Sequence, residues 1–530
     1  MTVAPLPRVT HAGAGTDFTR LHDFLDREIA AVTSKLAGIR RPNRIGGEDD
    51  VGGEIVRSCS PIDRDLILVE QVAADAGAVE RAVGAARAAQ AGWSRTPWPE
   101  RVTHLKRLAE VLDARKYEFA IACLLEVGKS RLEALGEAEK AVDLVRYYAA
   151  EMERNEGYER PMARALAHEA TSNVLRPVGV FAVLSPFSDP LSSSVNMLTG
   201  AILTGNTAVY KPSQSAALTG ALLMQAIEEA GLPAGVVNLM CGGDETGRLL
   251  IAHRGVAGVA FTGSRAAGME IFRRFAAGSV ARPVIAEMGG KNPAYVAATA
   301  DLDVAAEGVV RSAFGMSGQT CGACSKVYVH ASKRAPFMKR LVGRTRTIKV
   351  GDVRERGIDM GPLIDERAAA RFGDAVLEAR RDGYVVAGGE RLAGGPWDRG
   401  PYVAPTIATA LAAQHRINKQ ELFLPFLSVI EFGRLEDAIS DGNAVDYGLA
   451  AGCYSRDERE LQLFLDTAEA GVLFANRAAG ATTGAWPGQQ SVCGWKGSGV
   501  TGKGGFGAYY LPQFLREQSR TVLGGAWPNC

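Results

Sequence analysis

Val178-Gly-Val-Phe-Ala-Val-Leu184 is an uncharged run of strand-forming residues, and Thr207-Ala-Val-Tyr-Lys211 is a second. Between them lies Ser185-Pro-Phe-Ser-Asp-Pro190, then an apolar stretch of helical length. A parallel strand pair needs a crossover of about a dozen residues or more, which this stretch supplies as a helix. Across Pro177–Tyr210 the only charged residue is Asp189, so strand and helix are both expected to be buried. A membrane span is excluded, because Pro186, Pro190, Ser192, Ser193, Ser194, Asn196 and Asn206 would be penalised in hydrocarbon.

The alternation continues outward. Ala216–Ala230 and Thr246–Ala252 read as helices, and Val236–Met240 and Val256–Phe261 read as strands. That order predicts a parallel α/β sheet with ligands at the strand ends. Upstream, Ala78–Trp93, Glu100–Ala120 and Leu132–Arg154 have apolar residues at helical spacing. Residues 1–50, with one helical stretch near Asp17–Leu36, read as a loosely attached arm. A second α/β pattern begins near Arg282–Tyr295. It runs through Ala305–Phe314, Lys326–His330, Ala335–Ile348, Arg367–Arg381, Ser428–Phe432 and Leu435–Asn443. Ala163–Val174 and Tyr509–Leu523 read as extended.

Composition excludes several classes. The 530 residues exceed one compact core, and 47% hydrophobic with 22% charged residues describes a folded globular chain. A net charge of +1 gives no electrostatic reason to expect nucleic acid or an anionic membrane as partner. Eight scattered cysteines and an N-terminus without an apolar signal core predict a reducing, cytoplasmic setting. Metal chemistry is unsupported: Cys321-Gly-Ala-Cys324 is the only CxxC, and no HExxH occurs. Gly497-Ser-Gly499-Val-Thr-Gly502 matches GxGxxG without a preceding strand, and Gly128-Lys129-Ser130 lies in a helical pattern rather than a phosphate loop.

Two stretches carry chemistry. Gly318-Gln-Thr-Cys321 sets a thiol among small residues, and Glu287-Met-Gly-Gly-Lys291 sets a carboxylate beside a turn at the close of an apolar strand. A thiol near pKa ~8.5 needs a lowered pKa or a base, and a carboxylate on another loop can supply that base or activate water. Taken singly, a cysteine is more often a small buried hydrophobe and a glutamate merely solvated.

Taken together, these stretches and Ser185-Pro-Phe-Ser-Asp-Pro190, Gly205-Asn-Thr-Ala-Val-Tyr-Lys211-Pro-Ser-Gln214, Phe261-Thr-Gly-Ser264, Glu421-Leu-Phe423 and Gly494-Trp-Lys-Gly-Ser-Gly499 follow one order. In that order the chain resembles the NAD(P)-dependent aldehyde dehydrogenase superfamily from about residue 45 to 523. The resemblance implies an α/β fold in three parts. These are a Rossmann-like NAD(P)-binding domain (1–160, including an arm at 1–45, and 178–289), an α/β catalytic domain (290–495) and β oligomerisation segments (161–177 and 505–525). It implies that Cys321 attacks an aldehyde to form a thiohemiacetal, that hydride passes to the nicotinamide of NAD or NADP, and that Glu287 activates water to hydrolyse the thioester. It places Lys211 at the adenosine ribose, Ser264 at the pyrophosphate, Glu421 at the nicotinamide ribose and Phe423 beside the nicotinamide ring. Ser213, Gln214, Phe261, Thr262, Gly263 and Gly289 complete the implied cofactor set.

Three positions depart from the family pattern. Ser188 stands where the family has an oxyanion-stabilising Asn, Gln214 where it has Glu, and Leu424 where it has Gly. Glu126-Val-Gly-Lys129, Tyr147-Tyr-Ala, Asp303–Gly315 and Gly480-Ala-Thr-Thr-Gly-Ala485 are similar to 1-pyrroline-5-carboxylate (glutamate semialdehyde) dehydrogenases. There a Gly-Ala pair anchors the substrate carboxylate, implying that role for Gly480 and Ala481; a ligand-free turn is the alternative. The expected enzyme is a homo-oligomeric oxidoreductase for a carboxylate-bearing semialdehyde. The alternatives are a dehydrogenase for another aliphatic or aromatic aldehyde, and a low-activity dehydrogenase-fold binding or structural protein.

Overall fold

The computed structural model describes residues 6–10, 16–478 and 485–524. Val180–Leu184 and Thr207–Lys211 are parallel neighbours, with Val180 opposite Thr207 and Leu184 opposite Lys211. Around them a seven-stranded sheet runs in the order Val284–Met288, Gly258–Gly263, Val180–Leu184, Thr207–Lys211, Val237–Leu239, Asn43–Ile45, Glu48–Asp50. The first five are parallel; Asn43–Ile45 pairs antiparallel to Val237–Leu239, and Glu48–Asp50 pairs antiparallel to Asn43–Ile45. Val180–Leu184 is buried throughout because both faces are covered. Phe181 and Val183 join a core with helices Pro190–Leu203 and Ala217–Glu229, whereas Val180, Ala182 and Leu184 join one with helix Ala76–Trp93. Strands are added on one side of Val180–Leu184 and then on the other, which opens a crevice between the ends of Val180–Leu184 and Gly258–Gly263.

The second sheet has the order Tyr384–Ala387, Thr406–Thr409, Phe426–Phe432, Cys324–His330, Asn292–Val296, Ala450–Tyr454, Val472–Ala475. Only Tyr384–Ala387 is antiparallel. Helices Leu302–Phe314 and Arg334–Arg346 cover one face. A third, antiparallel sheet joins Leu515–Leu523, Glu169–Pro177 and Glu159–Pro161.

Several expectations need correction. Residues 19–50 are not loosely attached: helix Thr19–Leu36 buries Leu21, Leu25, Ile29 and Leu36, and Asn43–Asp50 extends the first sheet. Glu100–Ala120 is not one helix but the junction of Trp98–Ala114 and Lys116–Val127, broken at Arg115 (φ −103°, ψ 10°) with no Gly or Pro to mark it. Gly128-Lys129-Ser130 is a break rather than helix interior. Gly128 closes one helix at φ 72°, and Ser130 opens the next with a capping box to Glu133. Tyr509–Leu523 is extended only from Leu515, because Leu511 and Phe514 turn into the core as one helical turn.

Candidate active site

Cys321 follows a tight turn in which Met316, Ser317 and Gly318 have φ of 51°, 55° and 65°. Gly318 has no substitute there, because a Cβ would fall 2.3 Å from the Leu424 carbonyl oxygen. The turn is held from outside. Glu133 accepts the Met316 N–H (2.7 Å), and Ser317 donates its hydroxyl to the Gly361 carbonyl (2.9 Å). Gln319 accepts the Ile364 N–H at 2.9 Å. Asn292, 1% exposed, donates to the carbonyls of Cys321 (2.8 Å) and Ala323 (2.9 Å) and accepts the Ala450 N–H (3.0 Å). Cys324 is different: it is buried in the second sheet's core with its thiol toward the Lys326 carbonyl.

Glu287 sits in the last turn of strand Val284–Met288, paired in register with Thr262. Its Oε1 accepts the Gly505 N–H at 2.7 Å. Burial pushes its carboxyl up to about 7, against the opposing pull of the Gly505 N–H and the Thr262 hydroxyl. A carboxyl near 7 suits a general base at neutral pH. Glu287 and Cys321 line one cavity of about 860 Å³, with Thr262, Asp189, Lys140 and Phe506. Burial pushes the Cys321 thiol up to about 12; carboxylates, Asp189 foremost, add to this and Lys140 opposes it. Cys321 therefore rests as a thiol and needs a base to attack.

The Gly494–Gly499 stretch closes over the same strand end. Gly499 bridges to Glu287, and Ser498 accepts the Met288 N–H through its carbonyl (2.8 Å). The Ser498 hydroxyl donates to the Gly289 carbonyl at 2.6 Å. Thus Ser498 and Gly499 tether backbone near Glu287, and a two-residue strand, Trp495–Lys496, paired with Tyr447–Gly448, precedes Gly497 where no strand was expected.

Lys211, at its strand's end, donates to the carbonyls of Pro212 (3.0 Å) and Gly242 (2.9 Å), and burial lowers its ammonium to about 8. Ser213 accepts the Ser215 N–H at 3.3 Å. The Gln214 side chain lies over Gly243, where a Cβ would meet its Oε1 at 3.0 Å. Ser264 caps helix Arg265–Ala276, accepting the Ala267 N–H at 3.3 Å, so free N–H groups face the crevice beyond Phe261, Thr262 and Gly263. Glu421 accepts the Gly290 N–H (3.0 Å), and burial raises its carboxyl to about 7. Phe423, at φ 58°, meets the Phe187 ring edge-on at 5.8 Å. A buried cation at a strand end, a helix start capped by Ser264 and glycines that leave room fit a dinucleotide.

Leu424, at the position where the family pattern has Gly, is 4% exposed and belongs to one buried cluster with Leu363, Phe372 and Phe426. Ser188 is 9% exposed and does not line the cavity among the described residues; its neighbour Asp189 does. Gly480 and Ala481 lie outside the described residues. Sequence reasoning missed Asn292, although it directly follows the Glu287–Lys291 motif, and it missed Glu133, Lys140 and Asp189.

With this geometry in view, the chain belongs to the aldehyde dehydrogenase family, whose model matches residues 49–519. It is an NAD(P)-dependent aldehyde dehydrogenase by class. It is 33% identical over 486 residues to a 1-pyrroline-5-carboxylate dehydrogenase of Bacillus cytotoxicus, covering 91% of this chain and 92% of that protein. It is 34% identical over 438 residues to the α-ketoglutaric semialdehyde dehydrogenase of Bacillus subtilis, covering 82% and 89%. A solved structure of 1-pyrroline-5-carboxylate dehydrogenase from Thermus with bound NAD superposes with a TM-score of 0.91 at 30% identity, covering 99% of this chain and 100% of that one. Among the described residues no helix is long and apolar enough to cross a membrane.

Proposed function

We propose that this enzyme oxidises a carboxylate-bearing semialdehyde to the corresponding dicarboxylate through a thioester on Cys321. The observation that carries this reading is that Cys321 and Glu287 face one cavity, with the Glu287 carboxyl raised to about 7. The names of the Bacillus relatives support a semialdehyde.

In this mechanism Lys211, Ser213 and Gln214 hold the adenosine end of the cofactor, the Phe261–Ser264 turn the pyrophosphate, and Gly289, Glu421 and Phe423 the nicotinamide end. NAD(P), when bound, supplies the hydride acceptor. The Cys321 thiol gives up its proton to solvent, and its sulfur bonds to the aldehyde carbon. The carbonyl oxygen takes the negative charge, with the Cys321 N–H as its donor and Ser188 contributing from behind the cavity wall. Once oxidised, the adduct is a thioester on Cys321. Glu287 then takes a proton from water, whose oxygen attacks the thioester carbon. The C–S bond breaks and the sulfur leaves as thiolate.

The proposal extends to organisation. Residues 1–160 and 178–289 form the cofactor domain, 290–495 the catalytic domain, and 161–177 with 505–525 the oligomerisation segments of a homodimer or larger assembly. Exposed Met162, Leu166, Tyr509 and Leu523 on or beside the third sheet support the last point. A cytoplasmic setting is supported by the described cysteines, all free. The test is reduced-nicotinamide formation with a panel of carboxylated, aliphatic and aromatic aldehydes. Preference for a carboxylated aldehyde is the expected result, and equal use of uncharged aldehydes of the same length would overturn the substrate class.

A further inference from the structure

The cavity wall beside Cys321 holds a charge arrangement that neither the nucleophile nor the cofactor uses. On helix Arg131–Arg154, Glu133, Gly136, Glu137 and Lys140 share one face at helical spacing, and all four line the cavity. Asp189, at the start of helix Pro190–Leu203, lies opposite, its Oδ1 3.1 Å from Lys129 Nζ and 3.6 Å from Lys140 Nζ.

The two lysines are not equivalent. Lys129, its side chain 2% exposed, is clamped between Asp189 and Glu137. Glu137 is in turn fixed by the N–H groups of Leu191 (2.8 Å) and Ser192 (3.0 Å). This set holds one cation and two carboxylates, so Lys140 completes its charge balance from the cavity side. Lys140 is the outer member, 19% exposed, sharing one acceptor at longer range with its ammonium 5.7 Å from the Phe506 ring centroid. An ammonium has three donors, so Lys140 retains hydrogen-bonding capacity toward the cavity. The same cavity is lined by apolar Leu449, Val472 and Val492, clustered with Cys321, and by Phe506 beside Lys140. A cation, a thiol and apolar side chains lining one cavity match a short chain with an anion at one end and an aldehyde at the other.

We propose that Lys140 is the specificity-determining residue that binds the substrate's distal carboxylate, with the Lys129–Glu137–Asp189 set holding it in place. This rests on the semialdehyde reading above. The discriminating experiment compares kcat/KM for 5-oxopentanoate with that for pentanal, of equal chain length, in the wild type, Lys140→Met and Lys140→Arg. The wild type is expected to favour 5-oxopentanoate. Lys140→Met should cut that preference by about 10-fold or more, through KM, as loss of a charge-assisted hydrogen bond implies, and Lys140→Arg should retain most of it.

A wild type without preference overturns the semialdehyde reading and this proposal with it. A wild-type preference that Lys140→Met keeps overturns the proposal alone. Calorimetry covers a variant without turnover: glutarate should bind Cys321→Ala about 10-fold or more tightly than Cys321→Ala with Lys140→Met, and equal affinities would overturn the assignment.

Discussion

The carboxylate of Glu421 occupies the space that a side chain on Gly289 would fill: a Cβ there would fall 1.9 Å from Glu421 Oε2. The two residues are far apart in the chain, yet each sets the other's identity. Gly289 is outside the left-handed backbone region, so its need is for room rather than for torsional freedom. Gly289→Ala is expected to displace Glu421 from the Gly290 N–H and raise KM for NAD by about 10-fold, the worth of one charge-assisted hydrogen bond. An unchanged KM for NAD in the folded variant would remove Glu421 from the cofactor site.

Lys211 and Gln214 decide how a 2′-phosphate is received. A Glu at position 214 would repel it, whereas the Gln amide is neutral and can donate. Burial lowers the Lys211 ammonium to about 8, so its charge is present below that pH and lost as pH rises through it. NADP is therefore expected to be used beside NAD, with the NADP-to-NAD ratio of kcat/KM falling as pH is raised across about 8. Lys211→Met should flatten that fall. A wild-type ratio independent of pH, or undetectable use of NADP, would contradict the assignment.

The oxyanion site gives a graded expectation. Removing a full donor typically costs ~10²–10³ in turnover. Ser188 is buried beside the cavity without lining it, so Ser188→Ala should lower turnover by less than about 10-fold and Ser188→Asn should raise it. Full retention of turnover in Ser188→Ala would show that Ser188 contributes nothing there.

The third sheet predicts assembly. Leu515–Leu523 pairs with Glu169–Pro177 over nine residues, and Met162, Leu166 and Leu523 near it are 51%, 50% and 62% exposed. Such a ribbon is expected to be covered by a second copy of the chain. Light scattering at micromolar concentration should give a dimer or larger, and Leu166→Glu should shift it toward monomer. A wild-type monomer would contradict this.

The strands nearest the site were legible because each is a short apolar run ending in a turn. Thr207–Lys211 and Leu435–Asn443 have the predicted bounds. Local reading failed where the deciding partner is remote. Nothing near Arg115 marks the helix break, and Gly128 was hidden by apolar spacing that continues across it. In the site, Cys321 and Glu287 were legible as chemistry-bearing residues among small neighbours. The supports were not: Glu133 reaches Met316 across 183 residues, and Asn292 meets Ala450 across 158. Asp189 was visible as the lone charge in an apolar stretch, but its lysine partners come from another helix and its preceding turn.

The central claim is that Cys321 carries the acyl group and Glu287 releases it. The most direct measurement is intact-protein mass spectrometry of Glu287→Gln after mixing with NAD and 5-oxopentanoate, beside the same variant carrying Cys321→Ala or Cys324→Ala. An acyl adduct that accumulates in Glu287→Gln, persists with Cys324→Ala and vanishes with Cys321→Ala is the predicted result. Formation of reduced nicotinamide with no adduct on Cys321, or an adduct that survives Cys321→Ala, would contradict it.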